Sequence, residues 1–168
     1  KVIEATKKAL DRYGSGCAGS PFLNGTLDIH HELEEAIAKF LHKDSAMLFS
    51  AGFQANAGTI PALLNPHDHL IIDERDHASI METRRQTLAT VHKYKHSDFQ
   101  HLVRILESIP LEDVKLLATD AVFSMEGDIV PLPELVEICQ KYQVTLMLDE
   151  AHSLGVFGRQ GRGLADHF

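Results

Sequence analysis

The chain has 168 residues, 44% hydrophobic and 24% charged, the balance of a globular domain with a sizeable core and not of a disordered segment. Its formal net charge of -8 argues against nucleic acid as a partner, because a phosphate-backbone footprint needs Lys and Arg clustered on one face. No apolar run reaches the ~18 to 20 residues of a membrane span, and the amino terminus lacks the apolar segment of a signal peptide, so the expected location is cytoplasmic.

Residues 1–12 have helical spacing, and the glycine-rich stretch 13–21 (YGSGCAGSP) breaks it. Within this loop lies Cys17; it and Cys139 are too few for a disulfide scaffold and read as free thiols, Cys139 in the core. From Asp28, the segment DIHHELEEAIAKFLHKD sets Leu33, Ile37, Phe40 and Leu41 on one helical face. Its acids come early and Lys39, His42 and Lys43 late, as the helix dipole favours. Short apolar runs then alternate with helical patterns. Strands are predicted at 46–49, 70–73, 90–95, 115–123 and 145–148, and helices at 52–64, 77–88, 98–109 and 133–141. Such alternation predicts an α/β fold whose largely parallel sheet is covered on both faces. Residues 1–26 read as a helix end with a glycine-rich loop, and 27–168 as a large domain.

Ligands of open parallel sheets bind beyond the carboxyl ends of the strands, and polar residues gather at those ends here: Ser50 to Phe53, Asp73, Ser124 and Asp149. At Ser50-Ala51-Gly52-Phe53 a small-residue turn opens a helix, leaving backbone N–H groups free for a phosphate. Glycine also occurs in such turns for purely conformational reasons. Neither a Walker loop nor a dinucleotide fingerprint is present. Asp149 follows four strand-favouring residues, so its carboxylate is partly buried and calls for a cationic partner. Asp149, Glu150 and His152 also permit two other readings, a metal site or a helix cap with a surface histidine. A phosphate corner, a buried carboxylate, a nearby imidazole and a serine on the adjoining strand together suit an aromatic, phosphorylated, cationic cofactor, and pyridoxal 5′-phosphate meets that description. Its ring nitrogen must be protonated to draw electrons, and a carboxylate at ~4 Å contributes about 4 kcal/mol at an effective dielectric near 20. At 1.36 kcal/mol per unit, that raises the pyridinium pKa by roughly three units.

Four segments in order, YGSGCAGSPFLNGTLDIHHELEEAIAKFL, SAGFQANAG, DERDHASIMETRR with VFSMEGDIVPLPELVEIC, and LMLDEAHSLGVFGRQGRG, resemble the α-oxoamine synthases, a family of fold-type-I pyridoxal-phosphate enzymes. The resemblance covers nearly the whole chain and implies a three-layer, mostly parallel large domain. It assigns Gly52 and Phe53 to the cofactor phosphate and His77 to stacking on the ring. Ser124 and His152 fall near the phenolic oxygen, and Asp149 on the ring nitrogen. Two departures stand out. Pro21 occupies a position where many relatives carry arginine. The family's Schiff-base lysine lies well beyond the position of Asp149, whereas no lysine follows Lys141 here. The expectation is therefore an incomplete large domain, a fragment inactive by itself.

The implied activity of the parent is condensation of an amino acid with an acyl-CoA thioester, with loss of CO2, by a homodimer. Residues 14–26 are the candidate for reaching the neighbouring site. Alternatives are another fold-type-I activity, an aminotransferase or aldolase, or a catalytically silent subunit of a heterodimeric synthase. The synthase reading rests on GTLDIHHELE and FSMEGD, and retention of His77 and Asp149 argues against a silent subunit.

Overall fold

The structure, a computed structural model, describes residues 1–168 as two compact units, Lys1–Leu48 and Phe49–Phe168. The first holds α1 (Val2–Tyr13) and α2 (Asp28–Leu41). α1 buries none of its side chains, and it stops where Gly14 takes a φ of 76°, a left-handed conformation that favours glycine. The loop after it is held by its own backbone: Leu23, Asn24 and Gly25 all donate to the Ser20 carbonyl. A Cβ at Gly25 would lie 2.2 Å from the Gly19 carbonyl oxygen, so no larger residue fits there. The Arg12 guanidinium meets the Asp28 carboxylate, and the Leu48 N–H donates to Glu34 at 3.0 Å.

The second unit carries four parallel strands in the order β2-β1-β3-β4: β1 (His69–Asp73), β2 (Thr90–Tyr94), β3 (Lys115–Asp120) and β4 (Thr145–Asp149). Around them lie α3 (Gly52–Ala62), α4 (Ala78–Thr83), α5 (Phe99–Glu107) and α6 (Leu132–Lys141). Alternation along the strands sends side chains into two cores. Leu70, Ile72, Leu116 and Ala118 pack with Ile60 of α3 and Ile80 of α4. Ile71 and Leu117 point the other way and pack with Phe99, Leu102 and Leu106 of α5 and Leu132 and Leu135 of α6. β3 is buried at every position, and each fully buried aliphatic side chain contributes about 1.5 to 3 kcal/mol. The expected α/β fold with a parallel sheet between helical layers is thus present. Cys17 and Cys139 are both free, the latter buried.

Four predicted boundaries are corrected. Residues 46–49 are irregular, because an extended apolar run becomes a strand only where another backbone pairs with it. The helix predicted to reach residue 88 ends at Thr83, whose hydroxyl donates to the Ile80 carbonyl. The one predicted to reach residue 64 stops at Ala62: the Leu63 N–H still donates to the Thr59 carbonyl, but the Asn65 N–H turns to the Asp68 carboxylate at 2.6 Å. β3 stops at Asp120, since residues 121–130 fold back on themselves: Val122 bridges Ile129 and the Phe123 N–H donates to the Asp128 carbonyl.

Glu150 explains the second acid of the LMLDEAH segment. Its carboxylate accepts from the Ser153 hydroxyl, from the Leu164 N–H at 2.6 Å and from the Ala165 N–H at 3.1 Å, folding the glycine-rich tail around itself. A Cβ at Gly163 would collide with that carboxylate. Hydrogen bonds to a charged group contribute about 1.5 to 3 kcal/mol, so Glu150→Ala should lower stability by about 2 kcal/mol or more. Urea unfolding should show that loss, with faster proteolytic cleavage within residues 151–165.

Candidate functional site

In a parallel sheet all carboxyl ends lie at one edge, and three of the four strands here end in aspartate: Asp73, Asp120 and Asp149. Asp149 is half-buried. Its Oδ1 accepts from the Ala151 N–H at 2.9 Å and its Oδ2 from the Asn56 side-chain amide at 2.7 Å. A neutral amide and a backbone N–H hold the carboxylate, and neither cancels its charge. Asn56 is buried, and the same amide nitrogen donates to Ser79 Oγ at 2.9 Å. Ser79 Oγ lies 2.7 Å from His77 Nδ1, which also accepts from the Ser79 N–H at 3.2 Å. Because that backbone donor makes Nδ1 an acceptor, neutral His77 carries its proton on Nε2. A continuous path His77–Ser79–Asn56–Asp149 therefore fixes the imidazole relative to the carboxylate.

Asn56 stands four residues after Gly52, one helical turn along α3, so the amino-terminal turn of that helix is adjacent to the Asp149 contact. Ala51 makes no side-chain cap there, and the first turn has no acid. The N–H groups of Gly52 and Phe53 thus keep their capacity for an anion. The exposed His77 has its own N–H bonded to Asp120 Oδ2 at 2.8 Å. Ser124 and His152 stand exposed on the loops leaving β3 and β4, and the charge of His152 is felt at Asp120.

Burial pushes the Asp120 carboxyl up to about 6; the His77 N–H pulls it down and the neighbouring Asp149 charge pushes it up again. Asp76 is more deeply placed, accepting from the Asp73 N–H at 2.7 Å, the Thr119 hydroxyl at 2.9 Å and the Asp120 N–H at 3.1 Å. Burial pushes it up to about 8, with the Asp120 N–H and Thr119 pulling it back. Asn56, Ser79, Asp76 and Asp120 were not singled out from sequence. A signal for Asp120 existed in the repeated strand ending IID, ATD and MLD, and for Asn56 in its helical spacing from Gly52. The metal-site alternative loses Glu150 to its loop hydrogen bonds, and no cluster of three or more His, Cys, Asp or Glu is arranged to hold a metal ion.

Residues 1–167 match the family described as aminotransferase class I and II. The chain belongs to that family. Serine palmitoyltransferase of Bacteroides ovatus is 55% identical over 168 residues, 100% of this chain and 43% of that protein. An 8-amino-7-oxononanoate synthase of Symbiobacterium thermophilum is 42% identical over 169 residues, again 100% and 43%. Among solved structures, the serine palmitoyltransferase from S. paucimobilis with a bound PLP-myriocin aldimine matches with a TM-score of 0.96 and 40% identity, over 99% of this chain and 42% of that one. An 8-amino-7-oxononanoate synthase from Francisella tularensis matches at 0.80 and 31%, over 98% and 44%. These relatives place the chain in the α-oxoamine synthase branch, and it spans less than half their length. The cofactor of the family is pyridoxal 5′-phosphate. The residues present fit it: an uncapped helix amino terminus suits the phosphate, an exposed and braced imidazole suits an aromatic face, and Asp149 suits a protonated ring nitrogen.

Asp76 yields a pH-dependent stability whose sign follows from its proton affinity. A carboxyl raised from 3.8 to about 8 holds in the folded state a proton that the unfolded chain releases. Its stabilising contribution is full below about pH 4 and is lost as the pH rises to about 8. The stability difference between the native chain and Asp76→Asn should therefore shrink across that interval, as measured by urea unfolding at a series of pH values. A constant difference would contradict the raised value.

Proposed function

We propose that the protein containing this chain is a pyridoxal-phosphate-dependent α-oxoamine synthase that joins an amino acid to an acyl-CoA thioester with release of CO2. The observation carrying this reading is Asp149 held by Asn56 one turn from the uncapped start of α3, with His77 braced through Ser79 on the same amide. The bound cofactor supplies an electron sink for charge developing at the amino acid's α-carbon. Asp149 keeps a proton on the ring nitrogen. His77 covers one face of the ring and restricts the substrate's orientation, while the Gly52 and Phe53 N–H groups hold the phosphate. Ser124 and His152 lie toward the phenolic oxygen. The higher identity to serine palmitoyltransferase, 55% against 42% for the oxononanoate synthase, favours serine and a long-chain acyl donor as substrates. A homodimer, with residues 14–26 reaching the partner's site, completes the reading.

In the catalytically complete enzyme, Asp149→Asn should still bind cofactor but turn over at least about a hundredfold more slowly, because a neutral amide no longer favours the protonated ring. Near-normal turnover would remove Asp149 from this role. The chain itself permits a second measurement: titration of the isotopically labelled protein with pyridoxal phosphate should shift the Gly52 and Phe53 amide resonances. His77→Ala should weaken binding by about threefold to tenfold, the worth of a stacked aromatic contact. Resonance changes confined to other residues, or unchanged affinity in the variant, would count against the assignment.

A further inference from the structure

His96 lies just past β2 and has no part in the site described above, yet both of its ring nitrogens face carboxylates. Nδ1 is 3.0 Å from Asp73 Oδ1 and Nε2 is 3.1 Å from Asp128 Oδ2. Carboxylate oxygens only accept, so satisfying both requires an N–H on each nitrogen, which only the imidazolium supplies. The side chain is 11% exposed, and Asp73 beneath it is 1% exposed. Asp73 is fixed to the sheet: the Arg75 and Ser97 N–H groups also donate to it, each at 2.9 Å. Asp128, 59% exposed, belongs to the 123–128 turn.

That turn is closed by its own backbone hydrogen bonds. The Gly127 N–H donates to the Phe123 carbonyl at 2.8 Å and the Phe123 N–H to the Asp128 carbonyl at 2.9 Å, with Gly127 at a φ of 76°. The Phe123 ring meets His96 edge-on at 4.5 Å. Ser124 follows Phe123 directly, so its position depends on where this turn is fastened. A second tie, Arg75 to Glu126 at 3.3 Å with side chains 49% and 26% exposed, holds the same turn and is comparable in exposure to the His96–Asp128 pair.

We propose that His96, with a proton on each ring nitrogen between Asp73 and Asp128, is the positioning residue that seats the 123–128 turn, and with it Ser124, against the β1–α4 segment that carries His77. The functional part of this proposal rests on the reading that Ser124 faces the cofactor's phenolic oxygen. Burial and the Arg75 charge oppose the imidazolium, whereas the Asp128 and Asp73 hydrogen bonds and the Asp73 charge favour it, and the balance raises the pKa of His96. Glu74 accepts from the His96 N–H at 3.2 Å and adds negative charge on the same side. On the following helix, Asp98 accepts from the His101 N–H, while the His101 ring accepts from the Lys95 N–H. The His96 tie is therefore fastened at low pH and lost as the pH rises through the elevated His96 value, leaving the turn held on this side by Arg75 and Glu126.

Nuclear magnetic resonance of the labelled chain across about pH 5 to 9 tests this. His96 should titrate above the ordinary histidine value, and the amides of Ser124 to Asp128 should move with the same midpoint. Asp128→Asn, a change at an exposed side chain, should lower that midpoint, and His96→Gln should abolish the turn's response. Turn amides that ignore the His96 titration, an unchanged midpoint in Asp128→Asn, or a response that survives His96→Gln would each overturn the proposal. In the same samples, pyridoxal phosphate affinity should fall about tenfold more across the titration in the native chain than in His96→Gln, the equivalent of about 1.4 kcal/mol. Binding with identical pH dependence in both would overturn the link to the cofactor. Absence of binding at every pH would instead overturn the functional reading, with the amide response still deciding whether His96 fastens the turn.

Discussion

A carboxylate at the end of a buried parallel strand must find donors or lose its charge, and three such carboxylates at one edge organise everything around them. Asp73 takes the Arg75 and Ser97 N–H groups and His96; Asp120 takes the His77 N–H; Asp149 takes Ala151 N–H and Asn56. Arg75 and His77 lie on the β1–α4 connection, His96 and Ser97 on the β2–α5 connection, Asn56 within α3 and Ala151 just after β4. Satisfying the strand ends therefore sets the paths of the β1–α4 segment, the start of α3 and the turn after β4. The loops of the site are placed by hydrogen bonds at the sheet edge together with the packing of their own apolar residues, Phe123 and Leu164, in the core.

The acids of this edge are chemically inequivalent because their surroundings differ. Burial pushes both Asp76 and Asp120 toward the neutral form, Asp149 adding to it at Asp120, while the hydrogen bonds they accept pull the other way. Asp149 is half-buried and receives two neutral donors, which support an anion without cancelling its charge. Glu150, next in sequence to Asp149, serves structure, since the tail of the chain is wrapped about it.

Sequence reasoning reached the α/β class and the parallel sheet because these follow from periodicity and connectivity, which are local and repetitive. It also singled out Asp149, Gly52 and Phe53 as candidates from their surroundings in the chain: an apolar strand running into an acid, and a small-residue turn opening a helix. His77 came only through resemblance to a family, since a lone histidine in a loop has no periodic signal, whereas Ser124 and His152 were read as a strand-end serine and an imidazole beside Asp149 and took their particular roles from that resemblance.

Tertiary structure decided which of the many polar residues meet. Asn56 and Asp149 are separated by 93 positions, and His77 reaches Asp120 across 43, distances over which no spacing rule operates. Strand existence was likewise a tertiary matter: residues 46–49 have the composition of a strand but no paired backbone, and β3 ends at Asp120 because the chain turns back to pair with itself. Composition and period by themselves determined what kind of layers this protein builds, because burial of apolar faces is encoded residue by residue. The choice of donor for each strand-end carboxylate was left to the folded chain, because a hydrogen bond is specified only when two distant segments have been brought within about 3 Å of each other.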